Sequence, residues 1–322
     1  MQIRHKNREI YFREQAECTQ KYVISYIEQV LCIKPNLRVL EIGCGEGGNL
    51  KPFLDLGCYC VGIDIDVAQL EKAKAFFANH PKKQNLRFIA NDINKVSPNE
   101  IGHFDLIILR DVIEHLPNQE VFMRQLKCFM HSKSVVFFGF PVWCNPFGGH
   151  QQICRSKWLS HTPWLHLLPK RLYKKVLQLG GESTATIKAL LDIKDTGISL
   201  FRFESILRKE QYQILKHTHY FINPNYEIKF GLHPRIIPKY LQIPYLSDFY
   251  TTAMYYLIKN KALNNSYSTI ETVHFDYNSQ NIKAIHFRLL YKCLCLLHIL
   301  PNCTTFARKF NISPLSITLD TR

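Results

Sequence analysis

The 322 residues contain no uninterrupted apolar run of 18, so the sequence offers no candidate for a membrane-spanning helix. The first residues, MQIRHKNREIYFREQ, stay charged and lack the apolar core of a secretion signal. An intracellular, cytoplasmic protein is the expectation. The eleven cysteines include no CxxC pair; the closest are Cys58/Cys60 and Cys293/Cys295. Neither a disulfide framework nor a zinc knuckle fits that scatter, so they are read as reduced thiols packed like small apolar side chains, with no metal site. Internal repeats are absent too. With 46% apolar and 21% charged residues, disordered, collagen-like and coiled-coil chains are excluded.

The net charge is +15 and uneven. Residues 1–150 carry 18 basic and 16 acidic side chains, 151–260 carry 16 and 7, and 261–322 carry 7 and 3. A positive field over the middle and end of the chain suits an anionic small molecule, nucleic acid or an acidic membrane surface, or simply a solvated face.

The first half alternates short apolar runs with helical periodicity. Residues 15–33 read as a leading amphipathic helix, stopped at Pro35-Asn36. Strands are expected at 37–42, 59–63, 86–90, 104–109 and 134–140, with helices at 49–56, 68–79 and 119–130 between them. That rhythm predicts a parallel sheet covered on both faces. It breaks after Pro141, where residues 141–200 read as a mostly helical insertion, and returns with a helix at 203–210 and strands at 212–221 and 250–258. The expected division is 1–36, an N-terminal helical segment; 37–140, a nucleotide-type core; 141–200, an acceptor or lid insertion; 201–260, the rest of the core; and 261–322, a tail. Within that tail, 261–280 reads as a polar linker and 285–300 as a docked or membrane-surface helix, so peripheral membrane contact through the basic C-terminal region is left open.

The segment VLEIGCGEGG, residues 39–48, satisfies GxGxxG at Gly43, Gly45 and Gly48, directly after the first strand and before a helix. Alone this pattern says only that the backbone must turn tightly or approach a ligand closely. The surrounding acids discriminate. Glu41 ends the strand and Glu46 sits in the turn, where carboxylates repel a dinucleotide's pyrophosphate but suit the cationic sulfonium and ammonium of S-adenosylmethionine (SAM). Asp64 ends the second strand, where a carboxylate accepts ribose hydroxyls, and Asp92 follows the third, within reach of an adenine amine.

These segments, with RDVIEHLP at residues 110–117, resemble class I SAM-dependent methyltransferases, in particular the ubiquinone-biosynthesis O-methyltransferase-like subgroup. The resemblance is specific over 37–140 and loose over 203–260. It implies a Rossmann-like, doubly wound seven-stranded sheet of order 3-2-1-4-5-7-6 with the last strand antiparallel. It implies that Glu41, Gly43, Cys44 and Gly45 line the methionine and ribose part of SAM, that Asp64 and Ile65 hold the ribose and flank the adenine, that Asp92 and Ile93 meet the adenine edge, and that Arg110 borders the methionine portion.

Methyl transfer needs alignment of acceptor, carbon and sulfur, and a hydroxyl acceptor also needs a base. His115, at the fourth-strand exit, and His150, shortly after the fifth strand, are the candidates. Trp143, Phe147, Trp158 and Trp164 could line an acceptor pocket or form the insertion's own core. Lys157, Lys170, Arg171, Lys174 and Lys175 suggest an anionic lipid or sugar acceptor. A nucleic-acid methyltransferase is the rival reading; it is disfavoured because no [DNS]-P-P-[YFW] follows the fourth strand and no RNA-binding module is visible. An NAD(P)-dependent oxidoreductase and a non-catalytic partner subunit are the remaining alternatives.

Overall fold

A computed structural model describes residues 7–261. The expectations for a linker at 261–280 and a helix at 285–300 therefore lie outside the described residues, Lys261 excepted.

The strands are β1 (Arg38–Ile42), β2 (Tyr59–Asp64), β3 (Leu86–Ala90), β4 (Phe104–Arg110), β5 (Met130–Phe140), β6 (Tyr212–Ile222), β7 (Arg235–Ile236) and β8 (Ala253–Asn260). They form one sheet of order β3-β2-β1-β4-β5-β8-β6-β7. Strands β3, β2, β1, β4 and β5 pair in parallel, and β8 runs antiparallel to both neighbours, β5 and β6. This is the expected arrangement with one addition. The two-residue β7 extends the edge beyond β6, so the sheet has eight strands rather than seven. Pro234 and Pro238 flank β7 and cap its length, because proline cannot donate to a ladder.

Alternation along the strands explains why both faces are covered. Successive side chains point to opposite faces of a sheet. Leu40, Ile107, Phe138 and Tyr256 join one buried apolar layer, while their neighbours Val39, Leu106, Phe137 and Tyr255 join the other. Each fully buried aromatic or aliphatic side chain contributes about 1.5–3 kcal/mol relative to exposure.

The helices are α1 (Arg8–Cys18), α2 (Ile24–Ile27), α3 (Lys51–Asp55), α4 (Val67–Phe76), α5 (Pro98–Ile101), α6 (Gln119–Leu126), α7 (Lys157–His161), α8 (Lys170–Leu179), α9 (Thr184–Thr196), α10 (Leu200–Lys209) and α11 (Asn225–Phe230). The leading helix starts seven residues earlier than its periodicity suggests. Asn7 caps it by accepting from the Ile10 amide, and Phe12 stacks on Phe76 of α4 with ring centroids 4.6 Å apart. A π-helical turn at Thr19–Val23 joins α1 to α2. Helices α7–α9 carry the insertion after β5 and bury a small core of their own, including Leu159, Tyr173, Leu177 and Leu190. Among the described residues, no helix is long and apolar enough to cross a membrane.

Candidate active site

The carboxyl ends of β1, β2, β3 and β4 meet where the chain order reverses between β1 and β4, the place an open α/β sheet leaves for a ligand. A cavity of about 680 Å³ opens there. Its floor is the turn after β1. Gly43 has φ +70°, and a Cβ on it would lie 2.5 Å from Cγ2 of Val112, so conformation and space both require glycine. The Gly43 and Cys44 amides donate to the Ile63 carbonyl, at 2.8 and 3.1 Å, tying the turn to β2.

Asp64 holds the turn from the other side. One carboxylate oxygen accepts from the Gly45 amide at 2.7 Å and the other from the Asp66 amide at 2.9 Å. Each oxygen keeps a further lone pair for a ligand hydroxyl. Ile65, 77% exposed, is a large apolar surface on the same wall. Asp92 accepts from the backbone and side-chain amides of Asn94, and Ile93 is buried beneath it. Gly43, Cys44, Gly45, Asp64, Ile65, Asp92, Ile93 and Arg110 all line this one cavity.

The structure revises the part given to the two glutamates. Glu46 has a fully buried side chain and is gripped by the Arg8 guanidinium, so it does not face the cavity as a free anion. Glu41 lies beneath the turn, outside the cavity lining. One of its oxygens accepts from Asn49 Nδ2 at 2.7 Å; the other is buried without a hydrogen-bond partner. Burial pushes the Glu41 carboxyl up to about 8. Asn49 in turn accepts from Arg110, so Glu41, Asn49 and Arg110 form a buried chain under the site. Arg110 also donates to Thr19, Cys18 and Asn225; none of these partners is a carboxylate. A buried guanidinium bordering the cavity without a carboxylate partner suits a ligand carboxylate.

A raised carboxyl has a testable consequence. Glu41 favours its protonated form in the folded state, so its contribution is present at low pH and lost as pH climbs towards 8. Buried Asp248, raised to about 7 by desolvation, acts in the same direction. We predict that the unfolding free energy of the ligand-free protein falls between pH 6 and pH 8.5, lowering its thermal midpoint, and that Glu41→Gln reduces the fall in free energy by roughly 1–3 kcal/mol at most. Melting curves at both pH values for the two proteins check this; parallel pH dependence would refute it.

Beyond Arg110 the chain leaves β4 through Asp111, which has φ +55°, into the turn Ile113–His115. His115 lines the cavity. His150, with φ +56°, packs behind it, the two rings edge to face with centroids 5.1 Å apart. Non-glycine residues in this backbone region are uncommon and concentrate at functional sites. Glu114 is buried beside the pair with neither carboxylate oxygen hydrogen-bonded, and burial raises its carboxyl far above the ordinary range. Burial lowers His115 and brings His150 down to about 4. Glu114, His115 and His150 each offer one donor atom, all within 4.8 Å of one another, a spacing able to share one cation. The cysteine spacings gave no hint of this cluster.

Other sequence candidates do not reach the site. Trp158 is 61% exposed, and Trp143 packs edge to face on His166. Lys157, Lys170, Arg171, Lys174 and Lys175 lie on α7 and α8, outside the cavity lining. Conversely, Arg8, Tyr11 and Gln15 of α1 line the cavity unforeseen, because this polar stretch shows little apolar periodicity. Asp111, also unforeseen, lines it too.

A ubiquinone biosynthesis O-methyltransferase from Rhodopseudomonas palustris (strain HaA2) is 28% identical over 126 residues, covering 35% of this chain and 47% of that protein. The same enzyme from Pelagibacter ubique (strain HTCC1062) is 30% identical over 105 residues, 32% of this chain and 41% of that protein. The chain thus spans under half the length of these curated relatives. A methyltransferase structure from Clostridium acetobutylicum aligns over 76% of this chain and 91% of its own at 12% identity, with a TM-score of 0.47. The profile of a family described as methyltransferase domain matches residues 12–178, just over half of the 322. By that match, the chain belongs to the methyltransferase-domain family.

Proposed function

We propose that the protein transfers a methyl group from SAM to a hydroxyl of a small-molecule acceptor. One observation carries this reading: a single cavity has the glycine turn and Asp64 on one wall and His115 on another. When bound, SAM supplies an electrophilic methyl group on a sulfonium. Asp64 would accept the ribose hydroxyls, Ile65 and Ile93 would flank the adenine, Asp92 would meet its amine, and Arg110 would face the methionine carboxylate. The ubiquinone O-methyltransferases support a hydroxyl acceptor by likeness.

The acceptor's proton must leave as its oxygen attacks. His115 is the better-placed base, since it lines the cavity and is neutral at physiological pH. His150, held near 4, is a weak base and positions His115 from behind. The oxygens of Glu114, buried without a hydrogen bond, favour a second reading, in which Glu114, His115 and His150 would hold a divalent cation that acidifies the acceptor hydroxyl.

The test is methyl transfer from radiolabelled SAM by the full chain to phenol, catechol, a sugar phosphate and RNA. Labelled phenol or catechol is expected. Labelling of RNA alone would overturn the small-molecule reading, and failure to bind SAM in calorimetry would overturn the reaction. Chelation separates the two accounts of the proton: EDTA leaves the rate intact if His115 acts alone and abolishes it if a cation is required.

A further inference from the structure

Residues 230–246 carry seven of the 21 exposed large apolar side chains found among the described residues. Seventeen positions thus hold a third of these side chains. Ile236 is 61% exposed and Tyr240 80%, with Leu232, Leu241 and Ile243 close to half. The segment is nevertheless held in shape. The Ile237 amide donates to the His219 carbonyl at 2.9 Å and its side chain is buried, so the neighbouring Ile236 is turned outward. Gln242 Nε2 donates to the Ile237 carbonyl at 2.8 Å, and the Tyr250 hydroxyl donates to the Leu241 carbonyl. Pro234, Pro238 and Pro244 stiffen the backbone. From Ile228 to Ser247 the charged residues are Lys229, Arg235 and Lys239, with no acid.

We propose that residues 230–246 dock on an anionic phospholipid bilayer. Aliphatic and tyrosine side chains among lysine and arginine suit the boundary between headgroups and acyl chains, where apolar burial and attraction to acidic lipids add. The basic helix α8 suits a bilayer less well, because its apolar Tyr173 and Leu177 are buried in the insertion's own core. Continuity with the site adds weight. The segment follows α11 directly, and Ile228 and Lys229 of α11 line a small cavity with Arg110 and Asp111, which also border the cofactor cavity. Docking here would bring α11 and the small cavity it lines close to the lipid surface.

The experiment is co-sedimentation of the full chain with phosphatidylcholine vesicles and with mixed phosphatidylcholine–phosphatidylglycerol vesicles. Binding is expected to the mixed vesicles only and to weaken at about 1 M salt, where charges are screened beyond roughly 3 Å. The triple variant Ile236→Ser/Tyr240→Ser/Ile243→Ser is expected to lower the partition coefficient at least tenfold, with SAM affinity kept as the control for folding. Lys174→Gln/Lys175→Gln on α8 is expected to bind as the wild type does. Tyr240→Trp reports independently: its added emission should shift to the blue with mixed vesicles and be quenched by brominated lipid. Wild-type protein that ignores mixed vesicles, a triple variant that binds them unchanged, or emission from Tyr240→Trp that does not move each overturns the proposal. Vesicle binding is read without turnover, so its failure is distinct from failure of the proposed reaction.

Discussion

Asp64→Ala is expected to weaken SAM binding by at least 100-fold in calorimetric titration. The carboxylate is a structural clamp and, in the proposed reading, also a ligand acceptor. Its hydrogen bonds from the Gly45 and Asp66 amides, at 2.7 and 2.9 Å, fix the distance between the turn after β1 and the end of β2. Hydrogen bonds to a charged acceptor contribute about 1.5–3 kcal/mol each, and a 100-fold loss corresponds to about 2.7 kcal/mol. Losing two ribose contacts is therefore enough, before any loosening of the turn is counted. Asp64→Asn separates the roles, since it keeps an acceptor oxygen of nearly the same shape but removes the charge. An intermediate loss is expected for it. An unchanged dissociation constant in Asp64→Ala would remove the ribose role and with it the present reading of the cavity.

His115→Ala is expected to lower kcat by about 10²–10⁴-fold, the usual reach of a positioned acid or base, while SAM affinity changes little. In the proposed reaction the acceptor's proton is lost to His115, whereas SAM would be held by the other wall. The pH profile carries the sign. A base must be unprotonated to act, and burial lowers His115 below its ordinary value. The wild-type rate should therefore rise with pH through a point below about 6.5, the ordinary histidine value, and stay level above it. Glu114→Gln, nearly isosteric, distinguishes the two accounts of the cluster. With His115 as the sole base, Glu114→Gln keeps most of the rate. With a cation held by Glu114, His115 and His150, it loses both the rate and calorimetric Mn²⁺ binding. A kcat unchanged in both His115→Ala and His150→Ala would end the case for either.

Much of the fold was legible because its signals are local. The runs Tyr59–Asp64 and Phe104–Arg110 are mostly apolar, as a strand buried on both faces must be, and they and Arg38–Ile42 form where they were expected. The leading helix shows the limit. Residues 8–14 are mostly charged or polar, so no periodicity marks them. What holds them is Phe12 on Phe76 and Arg8 on Glu46, contacts with residues more than thirty positions away. The partners of Glu41 and Glu46 were hidden for the same reason. A sequence shows a carboxylate but not the arginine or asparagine that will neutralise or bury it.

The sequence by itself determined the parallel core strands and the position of the glycine turn, because apolar runs, helix periodicity and the demand for glycine at a positive φ are read along one stretch of chain; the strand order followed from the resemblance to methyltransferases, and the edge strand β7 from neither. The tertiary structure alone decided which side chains share the site. Pairing of β4 with β5 sets Arg110 beside Gly139, so the loops that follow both strands leave the same edge of the sheet. That register brings His150 against His115 and Glu114 across 35 residues of sequence. No spacing rule encodes such a meeting, since its geometry is fixed by hydrogen bonds between strands rather than by distance along the chain.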